Sequence, residues 1–111
     1  MTDEQRATLD EFKRTVNMSA AELERWLGTD ESRSVGQKAA EGAESTGHQE
    51  GRRIVELLRT RQGDYTDEEF VEMRRVAGYA HRHLAQRPDG DMRETRWRYS
   101  LMNWGHDPLK D

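Results

Sequence analysis

At 111 residues, with a net charge of −4 and 36% charged side chains, the chain has the length of one domain. It contains no cysteine, which excludes disulfides, thiolate zinc sites and cysteine nucleophiles. No apolar run approaches the ~18 residues of a membrane span and no signal-peptide pattern opens the chain, so a cytoplasmic protein with no membrane association is expected.

Helix starts are marked first by Thr2 with Gln5 and by Ser19 with Glu22, pairs in which a hydroxyl and the side chain three residues on satisfy each other's backbone donors. Leu9, Phe12 and Val16 form an apolar stripe behind the first mark, and Leu23, Trp26 and Leu27 form one behind the second. These spacings predict helices over 3–16 and 20–27, the latter ended by Gly28. Residues 29–46, "TDESRSVGQKAAEGAEST", carry little apolar content except Val35 and read as a long flexible loop.

Thr46 with Gln49 then marks a third helix over 47–62, with Ile54, Val55, Leu57 and Leu58 on its inner face and Gly63 beyond it. Thr66 with Glu69 opens the longest helix, 67–86, along which Phe70, Met73, Ala77, Ala80 and Leu84 step by three and four. Asp91 with Glu94 is a looser start for a last helix over 92–104, closed by Gly105 and Pro108. No stretch alternates as a strand. The expected fold is therefore all-α, a compact bundle of about five helices in a single domain spanning 1–111, with a long flexible loop between the second and third.

Leu, Ile, Val and Phe number only 16, so the core is thin and its largest side chains are needed inside. Trp97, Leu101 and Trp104 are expected to bury against Phe70, Met73, Ala77 and Trp26, while Tyr99 and Met102 stay partly exposed. Val71, Val76 and Tyr79 also lie off the main stripes, an apolar surface that a homodimer or another protein partner would cover.

Several chemistries can be set aside. "GAESTGH" at 42–48 has the glycine spacing of a phosphate-binding loop but lacks the Lys-Ser/Thr that follows and the preceding strand. His81 and His83 lie about 200° apart on a helix, not on the shared face that metal ligation needs. The carboxylates of Asp67, Glu68 and Glu69 fall in a first turn, where they complement the helix dipole. Ser100 has no flanking glycines that would form a nucleophile elbow. Neither an enzyme, a metal nor a cofactor is expected.

The basic residues are the remaining signal, 15 of the 18 being arginine. "GRRIVELLRTR" carries Arg52, Arg53, Arg59 and Arg61; "MRRVAGYAHRHLAQR" carries Arg74, Arg75, Arg82 and Arg87; "MRETRWR" carries Arg93, Arg96 and Arg98. Either these arginines pair with neighbouring acids on a solvated face, as Arg52 with Glu56 would, or they contact phosphates.

Two resemblances bear on that choice. "MSAAELERWLG" followed across a loop by "GRRIVELLRTR" resembles the helix–extended loop–helix of SAP-type DNA-binding modules at Leu23, Leu27, Gly51, Arg53, Val55 and Leu58, although the connection here is longer and more acidic. Over residues 9–110, "FKRTVNMSAAELERWLGTDESRSVGQ", "GHQEGRRIVELLRT", "DYTDEEFVEMRRVAGYAHRHLAQRP" and "RWRYSLMNWGHDPLK" together resemble a family of short bacterial and fungal proteins of unknown function, often labelled DNA-binding. The resemblance implies DNA as the partner but brings no site residues with it; the arginine-rich stretches themselves give Arg52, Arg53, Arg59 and Arg61, helped by Arg74 and Arg75, as the expected phosphate contacts. The alternative is a protein-interaction or structural module.

Overall fold

A computed structural model describes residues 1–35 and 45–110. Among them are six α-helices and no strand: α1 (Asp3–Thr15), α2 (Ala20–Leu27), α3 (Asp30–Arg33), α4 (Thr46–Arg59), α5 (Asp67–Leu84) and α6 (Arg96–Asn103), with a 3₁₀ turn at Gln62–Asp64. None of these helices is long and apolar enough to cross a membrane.

Thr2, Ser19 and Thr66 cap α1, α2 and α5 as their spacing requires. Each hydroxyl accepts from the backbone N–H three residues on, and the Gln5, Glu22 and Glu69 side chains accept from the cap's own N–H. The two later starts differ from the sequence expectation. Ser45, not Thr46, occupies the extended N-cap position of α4 and accepts from the His48 N–H at 3.1 Å. Thr95 caps α6, accepting from the Arg98 N–H at 3.1 Å. Asp91 instead takes the backbone and guanidinium N–H groups of Arg93, which holds 91–94 as a turn and shortens the last helix.

The 29–46 stretch is not all loop. Thr29 caps the four-residue α3, too short to show a period, and Ser32 and Val35 are buried behind it. The expectation of a flexible loop over 36–44 falls outside the described residues.

α1 and α5 run side by side in the same direction, because Gln5 meets Asp67 near their starts and Glu11 meets His81 further along. α2 and α4 run antiparallel, with Glu24 opposite Arg59 and Leu27 opposite His48. Between the pairs lies the main core, including Leu9, Phe12, Leu23, Ile54, Leu57 and Met73. Trp97, Leu101 and Trp104 are all buried, but not as one stripe against Phe70, Met73 and Ala77. Trp104, just past α6, joins the main core, whereas Trp97 and Leu101 form a second cluster with Ala80 and Met92. Met102, expected to stay partly exposed, is only 9% exposed and belongs to the main core.

Two glycines are required by close approach. A Cβ on Gly51 would lie 2.5 Å from the Asn103 carbonyl oxygen and 2.7 Å from Leu27 Cδ2, so only glycine at this position lets α4 come this close to α2 and α6. Gly105 has φ +83°, a left-handed conformation, and a Cβ on it would lie 2.8 Å from Val16 Cγ1. That tight turn carries the chain back onto the end of α1, where Met18 N–H donates to the Gly105 carbonyl.

Candidate functional site

Arg53, Arg59, Arg61, Arg74 and Arg75, all assigned to DNA contact, meet carboxylates of the described residues. Arg53, near the middle of α4, donates from Nε to Glu72 at 2.8 Å, from Nη1 to Glu56 at 2.7 Å and from Nη2 to Glu69 at 3.0 Å. The hydrogen bond to Glu72 is the largest influence on Arg53 and, with those that follow, raises its pKa against the opposing effect of burial. Glu69 is held below the usual carboxylate range first by the Thr66 backbone N–H of its own capping box, with Arg53 adding to it.

Arg59 pairs with Glu24 of α2 at 2.7 Å, and Arg61 with Asp64 at 3.4 Å. Arg74 pairs with Glu4 of α1 at 3.2 Å, and Arg75 with Glu50 of α4. Arg52 lines a groove between α2 and α4. The residues are near one another in sequence, but Arg53, Arg59, Arg74 and Arg75 reach respectively toward α5, α2, α1 and α4. A fork of five donors suits such multi-carboxylate stitching as well as it suits phosphate.

Arg98 makes a further tie. Its Nε and Nη2 donate to the two oxygens of Asp107 at 3.1 and 3.0 Å. Burial pushes the Asp107 carboxyl up, but Arg98 and the Leu109 backbone N–H outweigh it, so its pKa is lowered.

Three of the four histidines are bound to backbone carbonyls: His48 Nε2 to Leu27 at 2.6 Å, His83 Nε2 to Trp97 at 3.1 Å, and His106 Nδ1 to Thr15 at 2.7 Å. A carbonyl only accepts, so each of those nitrogens carries a proton. The fourth, His81, meets Glu11 at 2.6 Å. Among the described residues no three His, Cys, Asp or Glu side chains are grouped to hold a metal ion.

The sequence reading missed Asn103. It is 1% exposed, accepts from Trp26 Nε1 at 2.8 Å and from the Ser32 hydroxyl, and donates to the Ser32 carbonyl at 3.0 Å. One amide thereby joins α2, α3 and α6. An asparagine near a helix end carries no pattern that distinguishes it from an exposed one.

Among the described residues, grooves run between neighbouring helices on the outer surface. One, of about 390 Å³, runs between α2 and α4, with Leu27, Gly28 and Val55 in its floor and the Glu24–Arg59 pair across it. Another, of about 410 Å³, runs between α1 and α5 over Ala7, Thr8, Ala77 and Gly78. The apolar surface expected around Val76 and Tyr79 is largely absent: Val76 is buried, and Tyr79 stacks on Trp104 with ring centroids 4.0 Å apart. Val71 stays 54% exposed.

An all-helical domain tied by ion pairs, without a grouped metal-ligand set among its described residues, is the class that fold and surface define. Within that class, residues 11–102 match the family model described as "Protein of unknown function (DUF3140)", and the chain belongs to that family. No curated protein and no solved structure matches the chain.

The helix–loop–helix likeness at 18–61 fares differently in detail. α3 occupies part of the connection, and Gly51 lies inside α4, six residues after the Ser45 cap, where it admits Asn103 and Leu27 instead of opening a basic helix.

Proposed function

We propose that this domain is a non-catalytic protein-interaction module, presenting helix-walled grooves to a protein partner. The observation that carries the reading is the engagement of Arg53 by Glu56, Glu69 and Glu72 of the same chain, to which the more exposed pairs of Arg59, Arg61, Arg74 and Arg75 add little. DNA binding through these residues would exchange each internal pair for a phosphate, on a chain whose net charge of −4 repels the duplex. The exchange at Arg53 would also strand Glu69 and Glu72, which are only 13% and 25% exposed, without their cation. The α2–α4 groove supports the reading by offering an apolar floor between charged walls, the arrangement of a peptide-binding groove.

The test is a fluorescence-anisotropy titration of the folded chain into a labelled random-sequence duplex at low salt. No saturation up to tens of micromolar is expected. Saturable binding that weakens with salt at a slope of about 0.9 per phosphate, and that is lost when Arg52, Arg53, Arg59 and Arg61 are replaced by Gln, would return the function to DNA.

A further inference from the structure

We propose that the α1–α5 face is a self-association surface, docking a second copy of this chain about a two-fold axis that runs along the groove. The inference rests on the interaction-module reading and names its partner.

Gly78 is the first observation. It stands well inside the 18-residue α5, where glycine costs about 1 kcal/mol against alanine. A Cβ there would meet only Arg82, at 3.2 Å from Nη1, the far end of a flexible side chain. Nothing among the described residues thus requires glycine at this position, in contrast to Gly51. A backbone approaching from outside supplies the reason, because glycine lets two helices come close.

The second is the charge pattern of the rims. The α1 rim carries Glu4 and Glu11, and the α5 rim carries Arg74 and His81, paired across the groove at 3.2 and 2.6 Å. The helices run parallel, so a two-fold axis along them lays the partner's α1 over this α5 and this α1 over the partner's α5. Glu4 then meets the partner's Arg74, and Glu11 the partner's His81, each contact occurring twice as a two-fold interface demands. A two-fold axis perpendicular to the helices would instead stack α1 on α1 and oppose like charges. Glu4 and Arg74 are 81% and 53% exposed, and such exposed pairs hold only ~0–1 kcal/mol, so exchanging them between copies costs little. Arg82, over Gly78, has no carboxylate partner among the described residues and gains access to the acids of the second α1.

The third is Val71. It is 54% exposed and lies three and seven residues before Arg74 and Gly78, on the helix line that leads into the groove. The second copy removes it from water.

Sedimentation equilibrium of the full chain, from micromolar to millimolar, tests this directly. A reversible dimer is expected. Gly78→Leu, which fills the groove from a surface position, should leave the helical circular dichroism unchanged and give a monomer. Arg74→Glu should weaken the dimer roughly tenfold or more, and Glu4→Arg with Arg74→Glu should restore it. A monomer at every concentration would overturn the inference, as would a dimer insensitive to both single variants. Either result leaves the interaction-module reading standing, because that reading falls only to saturable DNA binding.

Discussion

Gly51 and Asn103 face each other where α4 meets α6, and each constrains the other's neighbours. Adding a methyl group at Gly51 improves helix propensity by about 1 kcal/mol, but places a carbon 2.5 Å from a backbone oxygen. Overpacking of this kind costs ~1–3 kcal/mol, and a rigid carbonyl puts the cost at the upper end. Gly51→Ala is therefore expected to lower stability in urea denaturation; a gain would mean α4 can shift freely. Asn103→Ala leaves the Trp26 indole N–H and the Ser32 carbonyl buried without their partner, at about 1–3 kcal/mol for each group. A loss under about 1 kcal/mol would show that water replaces the amide. Trp104→Ala removes a core side chain stacked on Tyr79 and should cost roughly 3–5 kcal/mol, read as a collapse of the thermal midpoint.

At the level of elements, the helices are positioned by ties that cross long stretches of sequence. Residues 105–110 are fixed to the α1–α2 junction: the Asn17 amide donates to the Asp107 carbonyl at 2.9 Å, its oxygen accepts the Asp107 N–H at 2.8 Å, and Arg98 holds the carboxylate. Asn17→Ala should leave the helices intact yet raise amide hydrogen exchange at 106–110. Unchanged protection there would show that Arg98 alone suffices. The helices themselves were legible because capping pairs and three–four spacing are local signals, and Thr2, Ser19 and Thr66 carry both. Neither α3 nor the true starts of α4 and α6 had such a mark: α3 has a single turn, Ser45 and Thr46 compete for one cap, and Asp91 spends its carboxylate on Arg93. Arginine-rich stretches were equally visible, but their partners were not. Arg53 meets Glu69 and Glu72, Arg59 meets Glu24, and Arg74 meets Glu4 across 70 positions, pairings that only the packed helices bring together.

For the molecule as a whole, these ties set the response to pH. Lys110 and the Ser19 cap hold the Glu22 carboxyl down to about 2, and Arg93 does the same for Asp91. Arg14 and His81 lower Glu11 in the same direction. Their folded-state values lie below the unfolded ones of 4.5 for Glu and 3.8 for Asp, so the unfolded chain takes up protons first as pH falls. Stability should be level above that range and decline progressively from it toward about 2, followed as the thermal midpoint against pH. A midpoint flat to that limit would mean that the carboxylates do not stabilise the fold. Burial raises the Tyr79 hydroxyl above its ordinary value of 10.0, which adds a loss of stability as pH rises beyond that value.

The central claim is that arginine here serves cohesion. Arg53 and Glu72 test it most directly, in a double-mutant cycle of Arg53→Gln and Glu72→Gln followed by urea denaturation, with duplex affinity measured on the same samples. Internal pairing predicts that each variant is destabilised, that the double variant loses less than the two losses together, and that the coupling is about 1 kcal/mol or more. Duplex affinity should be absent throughout. Wild-type stability in Arg53→Gln, together with wild-type duplex binding that this substitution abolishes, would contradict the account.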